Sequence, residues 1–281
     1  MLRQLILLLI VMAGVGLLLA RIPEARATPA WQLPPVTIQR VSVASDGTQA
    51  NNSSTSPSSS TDGRFVAFAS EASGLAAGDI NSASDVFVHD RQTGETRRVS
   101  VASDGAQANN SSSSPFVSAE GRFIAFASEA SNLAVGDTNS LQDVFVHDRQ
   151  TGETRRVSVA SDGLQGNKSS SSPSISADGR FVAFASAALS LVAGDTNGVE
   201  DIFVHDRQTG ETRRVSVASD GAQGTNTSSS PSISADGRFI TFRSLANNLV
   251  PGDNNQTWDI FIVANPLWVP VSPPAAATPT P

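Results

Sequence analysis

Residues 172–186 read SPSISADGRFVAFAS, and residues 201–216 read DIFVHDRQTGETRRVS. Both strings have counterparts along the chain at one spacing. Gly63, Gly121, Gly179 and Gly237 each follow the last by 58 residues, and Asp79, Asp137, Asp195 and Asp253 keep the same interval. Residues 62–105 and 120–163 agree at 37 of 44 positions without a gap. A fixed period of this size means that each repeat is one supersecondary unit, which buries its faces against its neighbours.

Four strand-like runs fill each repeat. In the second copy they are 115–118, 122–128 (RFIAFAS), 143–148 (DVFVHD) and 154–160 (TRRVSVA). Apolar residues fall on both sides of the middle runs, as expected when both sheet faces are covered by other sheets. Gln150-Thr151-Gly152 supplies a hairpin between the third and fourth runs, with glycine free to take positive φ. The fold class is therefore all-β, a β-propeller with four antiparallel strands per blade. Residues 37–268 span 232 positions, which is four periods of 58.

The last copy stops after its third run, near residues 259–263, while residues 38–44 (IQRVSVA) match 96–102 (TRRVSVA) one period early. This predicts a four-bladed ring and a monomer, with the N-terminal strand completing the last blade and removing a free sheet edge. The alternative is an open array that closes by oligomerising, since the leftover strand and the gap can also pair between chains.

These strings resemble the WD40-like repeat of TolB-type propellers, over about residues 36–264. Two features depart from that pattern. The tryptophan usual before the Ser-Pro-Asp-Gly segment is absent, and Ala119, Ala177 and Ala235 stand where proline is usual. TolB-type propellers are commonly six-bladed, whereas this chain has material for four. The resemblance implies an exported or periplasmic protein that serves in protein contacts. It also admits a gating domain beside a peptidase, although no peptidase domain is present in this sequence. A fold hosts many functions.

The flanks differ in character. Residues 1–27 read as an export signal: Arg3, an apolar run from Leu5 to Ala20, then Ala25-Arg26-Ala27 as a cleavage site. The alternative is a retained membrane anchor. Residues 28–35 form a linker, 36–268 the propeller, and 269–281 a Pro/Ala/Thr-rich tail expected to be extended and disordered. After cleavage no membrane span is expected, and the location is periplasmic or extracellular. The 281-residue chain has no cysteine and a net charge of -7. That excludes disulfides and thiol chemistry and argues against nucleic acid as a partner.

Antiparallel strands alternate in direction, so the short turns (177–179 and 206–211) share one face of the disc. The long loops (187–200 and 219–229) share the other, which is the face expected to bind. Each second–third loop carries Asp-x-Asn-x-x-x-Asp: Asp79/Asn81/Asp85, Asp137/Asn139/Asp143, Asp195/Asn197/Asp201 and Asp253/Asn255/Asp259. Oxygen side chains at this spacing match part of a calcium loop, or they shape Asx turns into the third strand. No cofactor other than Ca²⁺ is suggested. His89, His147 and His205 read as core or edge histidines, and Arg97, Arg98 and their copies as solvated outer-strand charges. The fourth copy departs from the others, with Thr241 and Arg243 for an alanine pair and Trp258 in the long loop. These three read either as local repacking or, for Arg243 and Trp258, as a ligand handle.

No nucleophile elbow, zinc-protease motif or phosphate loop occurs. Three functions follow: an exported non-enzymatic binding scaffold for a protein partner, a calcium-dependent lectin-like binder of cell-surface glycans, or a propeller glycoside hydrolase.

Overall fold

A computed structural model describes residues 37–270. The predicted signal (1–27), the predicted linker (28–35) and all but the first two residues of the predicted tail lie outside them. The chain divides into two units, Met1–Gln39 and Arg40–Pro281. The account below is of the second.

Fifteen strands and no helix occur among the described residues. They form four antiparallel sheets at the 58-residue interval, each a blade. Blade 1 comprises β1 (Ser54–Ser59), β2 (Phe65–Ser70), β3 (Asp85–Asp90) and β4 (Thr96–Arg98). Blade 2 comprises β5 (Ser112–Val117), β6 (Phe123–Ser128), β7 (Asp143–Asp148) and β8 (Thr154–Arg156). Blade 3 comprises β9 (Ser170–Ile175), β10 (Phe181–Ser186), β11 (Asp201–Asp206) and β12 (Thr212–Arg214). Blade 4 has β13 (Ser228–Ile233), β14 (Phe239–Ser244) and β15 (Asp259–Ala264) only.

Two strands differ from their expected bounds. The first strand of a blade begins before its proline, because a bulge with Ser114 at φ 52° lets β5 continue to Ser112. The fourth strand is short. After Arg156 the chain leaves the sheet, and Val159 bridges Gln165 instead. That stretch ties one blade to the next: Thr154 Oγ1 donates to Val101 O, and Thr154 N to Ser103 Oγ.

Blades pack through repeated interfaces. Ala67, Val86 and Val88 of blade 1 meet Val117, Ile124 and Phe126 of blade 2 in one buried cluster. Phe123, Val144 and Val146 meet Ile175, Val182 and Phe184 in the next. A phenylalanine ring fills a glycine hollow at each interface. A Cβ added to Gly121 would lie 2.1 Å from Phe65 Cδ2, and one on Gly179 would lie 2.1 Å from Phe123 Cδ2. Glycine is needed there twice over, because both residues also turn the hairpin at φ 73° and 74°. Main-chain bonds step along the blades: Thr61 N to Ala119 O, Ala119 N to Ala177 O, and Ala177 N to Ala235 O.

The predicted pairing of the N-terminal strand with β15 is not seen among the described residues. No fourth strand joins β15 there, while Val43 meets blade 1 as Val101 meets blade 2. Ser42 O accepts from Ala50 N, and Val43 O from Thr96 Oγ1. β1 is exposed along most of its length, whereas β5, β9 and β13 are largely covered. At the other end Ile260 and Ile262 are 76% and 68% exposed. The four blades form an open row. Near-identical interfaces impose the same rotation at every step, and three such steps leave the first and last blades uncovered.

Candidate functional site

The long loops are stitched into one surface. Asn109, in the loop leaving blade 1, donates its backbone N–H to Asn132 Oδ1 in the second–third loop of blade 2, and Asn132 Nδ2 donates back to Gln107 O. Asn167, Thr225 and their partners repeat parts of this stitch one and two periods on. Between the paired loops and the fourth strand lies a groove, and it recurs three times. The grooves hold about 550, 560 and 700 Å³. Leu75, Leu133 or Leu191 lines each, beside Asp46, Asp104 or Asp162 and the arginine pair of the fourth strand.

The two arginines of each pair do different work. Arg97, Arg155 and Arg213 stay in solvent and pair with Glu95, Glu153 and Glu211 at 2.6 Å. Such exposed pairs contribute little stability, which leaves both charges available at the rim. Arg98, Arg156 and Arg214 are not solvated, contrary to the sequence expectation: their side chains are 8–10% exposed. Their spacing along a short outer strand hides this, because the acids that they meet come from the long loop.

Those acids are the predicted aspartates. Arg98 Nη1 lies 3.6 Å from both Asp79 and Asp85. Arg156 lies 3.4 Å from Asp137 and 3.5 Å from Asp143. Arg214 lies 3.2 Å from Asp195 and 3.5 Å from Asp201. Ser100, Ser158 and Ser216 donate to the second aspartate of each set at 2.5–2.6 Å. Asn81, Asn139 and Asn197 accept a backbone N–H two residues on and donate to a carbonyl of the following segment. Each loop is thus an Asx turn whose carboxylates converge on a guanidinium. Burial pushes the Asp85, Asp143 and Asp201 carboxyls up, against the pull of these serines and arginines. Asp137 and Asp195 are also raised by burial. No cluster of three or more His, Asp or Glu suited to a metal occurs among the described residues.

The fourth set differs. Asn255 Nδ2 still donates to Asp259 Oδ2 at 2.9 Å, but the position 58 residues after Arg214 is Ser272, not arginine. Arg243 and Trp258 do come together: the guanidinium lies 4.5 Å from the ring centroid, over an indole that is 42% exposed. They sit at the uncovered end of the row. The three histidines are buried, with Nδ1 2.9 Å from Thr96, Thr154 or Thr212 Oγ1. Burial lowers His147 and His205 to about 4. They act as core residues.

Exposed large apolar side chains complete the picture. Ile80, Val135, Leu164 and Val250 stand on the long loops, at 87%, 105%, 65% and 46% exposure. The short turns of the first three blades carry none.

The antiparallel blade, its glycine hairpin and its 58-residue step decide the fold. It is a β-propeller fold. No family model matches the chain, and no curated protein does. Among solved structures it is similar to TolB from Acinetobacter baumannii, at 18% identity and a TM-score of 0.46 over 76% of this chain and 41% of that one. A protein assigned as TolB from Agrobacterium tumefaciens gives 17% and 0.49, over 77% and 60%. The β-propeller domain of the Trilobed protease from Pyrococcus furiosus, described as having an open velcro topology, gives 14% and 0.44, over 75% and 54%. The chain spans about two-fifths to three-fifths of these proteins. No helix among the described residues is long and apolar enough to cross a membrane.

Proposed function

We propose that this protein is an exported, non-enzymatic scaffold that binds a protein partner through the long-loop face. One observation carries the reading. The same groove recurs three times, with an apolar floor, a carboxylate and an exposed Arg–Glu pair, beneath loop tips that present Ile80, Val135 and Leu164. Equivalent weak sites held on a rigid frame bind a multivalent or extended partner by avidity. Exposed apolar side chains inside a polar surround suit protein contact. An enzyme needs different groups brought to one point, whereas the titratable groups here are repeated or buried as structural pairs. Export is supported by the leader-like residues 1–27 and by the TolB resemblance.

The test uses a photo-crosslinking residue placed at Val135 or at Leu164, and a control at Gln150 on the short-turn face. Discrete protein adducts in cells from Val135 and Leu164, and none from Gln150, are expected. Adducts from Gln150 alone, or equal adducts from all three, would sink the long-loop assignment.

A further inference from the structure

We propose that the uncovered ends of the row are two halves of one interface, and that a second copy of this chain closes them into an eight-bladed ring. This goes beyond the binding reading above and does not depend on it. The three interior interfaces show what the ends are built to meet. Phe65, Phe123 and Phe181 each enter a glycine hollow on the following blade, at Gly121, Gly179 and Gly237. The next ring in the series is Phe239, 40% exposed. The glycine that begins the series is Gly63, whose Cβ position has only Arg91 Nη1 near it, at 3.4 Å. The main-chain steps continue in the same way, with Ala235 N–H next in line for Thr61 O of the second copy.

The ends also differ from the interior in matched ways. On the trailing side of blade 4, Thr241 and Arg243 replace alanines that are buried in blades 1–3. On the leading side of blade 1, Ser59 replaces Val117, Ile175 and Ile233, while Val66 is the same residue as Val182 and smaller than Ile124 and Ile240. Larger residues on one half face smaller ones on the other, and Thr241 faces a serine rather than a branched aliphatic. Between them stand Ile260 and Ile262, whose counterparts Val86, Val88, Val144 and Val146 are 0–2% exposed.

A strand exchange finishes the seam. Ile38, Gln39 and Arg40 are the counterparts of Thr96, Arg97 and Arg98 by the 58-residue offset. In the β3–β4 register, Phe87 opposes Arg98, Val88 opposes Arg97 and His89 opposes Thr96. The same register on β15 of a second copy sets Arg40 against Phe261, Gln39 against Ile262 and Ile38 against Val263. That supplies the missing fourth strand and covers a free edge. It also brings Arg40 to Asp253 and Asp259, the one acidic pair without its arginine. Two copies give two identical seams and eight blades, which lies within the range that propellers close.

Light scattering on the purified protein across a dilution series tests this. A mass of two chains is expected. The Ile260→Lys/Ile262→Lys variant changes residues that are exposed in the single chain. It should keep its circular dichroism and melting temperature and yet run as one chain, with association weakened more than about 100-fold. Arg40→Asp should weaken the dimer too, and Arg40→Asp with Asp259→Arg should restore it. A wild-type mass of one chain at every concentration overturns the proposal. So does a dimer indifferent to the lysines, or a mass that grows without limit as in an open filament.

Discussion

Blade 2 and blade 4 share a sequence plan and differ in what covers them. In blade 2, Val144 and Val146 are sealed by blade 3, and Asp143 is held by Ser158, Asn139 and Arg156. In blade 4, Ile260 and Ile262 occupy the same positions in solvent, and among the described residues Asp259 is held by Asn255. Equivalent branched aliphatic positions are core in one blade and surface in the other. The interface, not the residue, sets the energetic weight of each position.

The largest effect should come from filling a glycine hollow. Gly179→Ala places a Cβ 2.1 Å from Phe123 Cδ2 on a backbone at φ 74°. It should cost on the order of 3 kcal/mol or more by overpacking and left-handed strain together. Gly63→Ala has the strain without the clash and should cost about 1 kcal/mol in the single chain. Urea denaturation of the two variants compares them, and equal losses would deny that the hollow matters. Gly63→Ala should also abolish the proposed dimer.

Next come the aspartates. Asp143→Ala removes one of the two carboxylates that face Arg156 and orphans the Ser158 hydroxyl, for a loss of about 2–3 kcal/mol. Asp259→Ala should cost under about 1 kcal/mol, as for a half-exposed side chain with one hydrogen bond. Denaturation midpoints that fall equally would show that the arginine is not the partner that counts.

The histidines set an acid response. Burial holds folded His147 and His205 at about 4, below the ordinary 6.5. The unfolded chain therefore binds those protons first, and stability falls as pH drops from 6.5 towards 4. Each histidine contributes on the order of 3 kcal/mol to that decline. The raised carboxyls of Asp85, Asp143 and Asp201 work in the opposite sense, since protonation in the fold offsets part of their burial. The His147→Gln/His205→Gln variant keeps those carboxyls, so its melting temperature should fall less steeply than the wild type's over the same range. Parallel slopes would remove the histidines from the acid response. The smallest effect is expected from calcium. Arginine already faces the carboxylates in three blades, so excess Ca²⁺ should move the melting temperature by less than about 1 °C. A rise of several degrees would bring back the calcium reading.

Much of this was legible from the repeat. The 58-residue step, the apolar alternation of RFVAFAS and DIFVHD, and the turn glycines give the strands and their order, because each is a local property. The long-loop face follows from strand alternation alone. The loop aspartates were recognisable as a set, but not their partner. Arg98 and Asp79 are 19 positions apart on different elements, and nothing in TRR distinguishes the exposed arginine from the buried one. The pairing of the N-terminal strand with β15 was the reading not seen among the described residues. Residues 38–44 do have the pattern of a fourth strand, yet a pattern names an edge to pair with and not whose edge it is. By itself the sequence determined the blade, which local periodicity and turn chemistry specify. Only the tertiary structure decided that four blades stop short of a circle, because the angle between neighbours is set by the packing of Phe65, Phe123 and Phe181 into their glycine hollows, and no single repeat contains that angle.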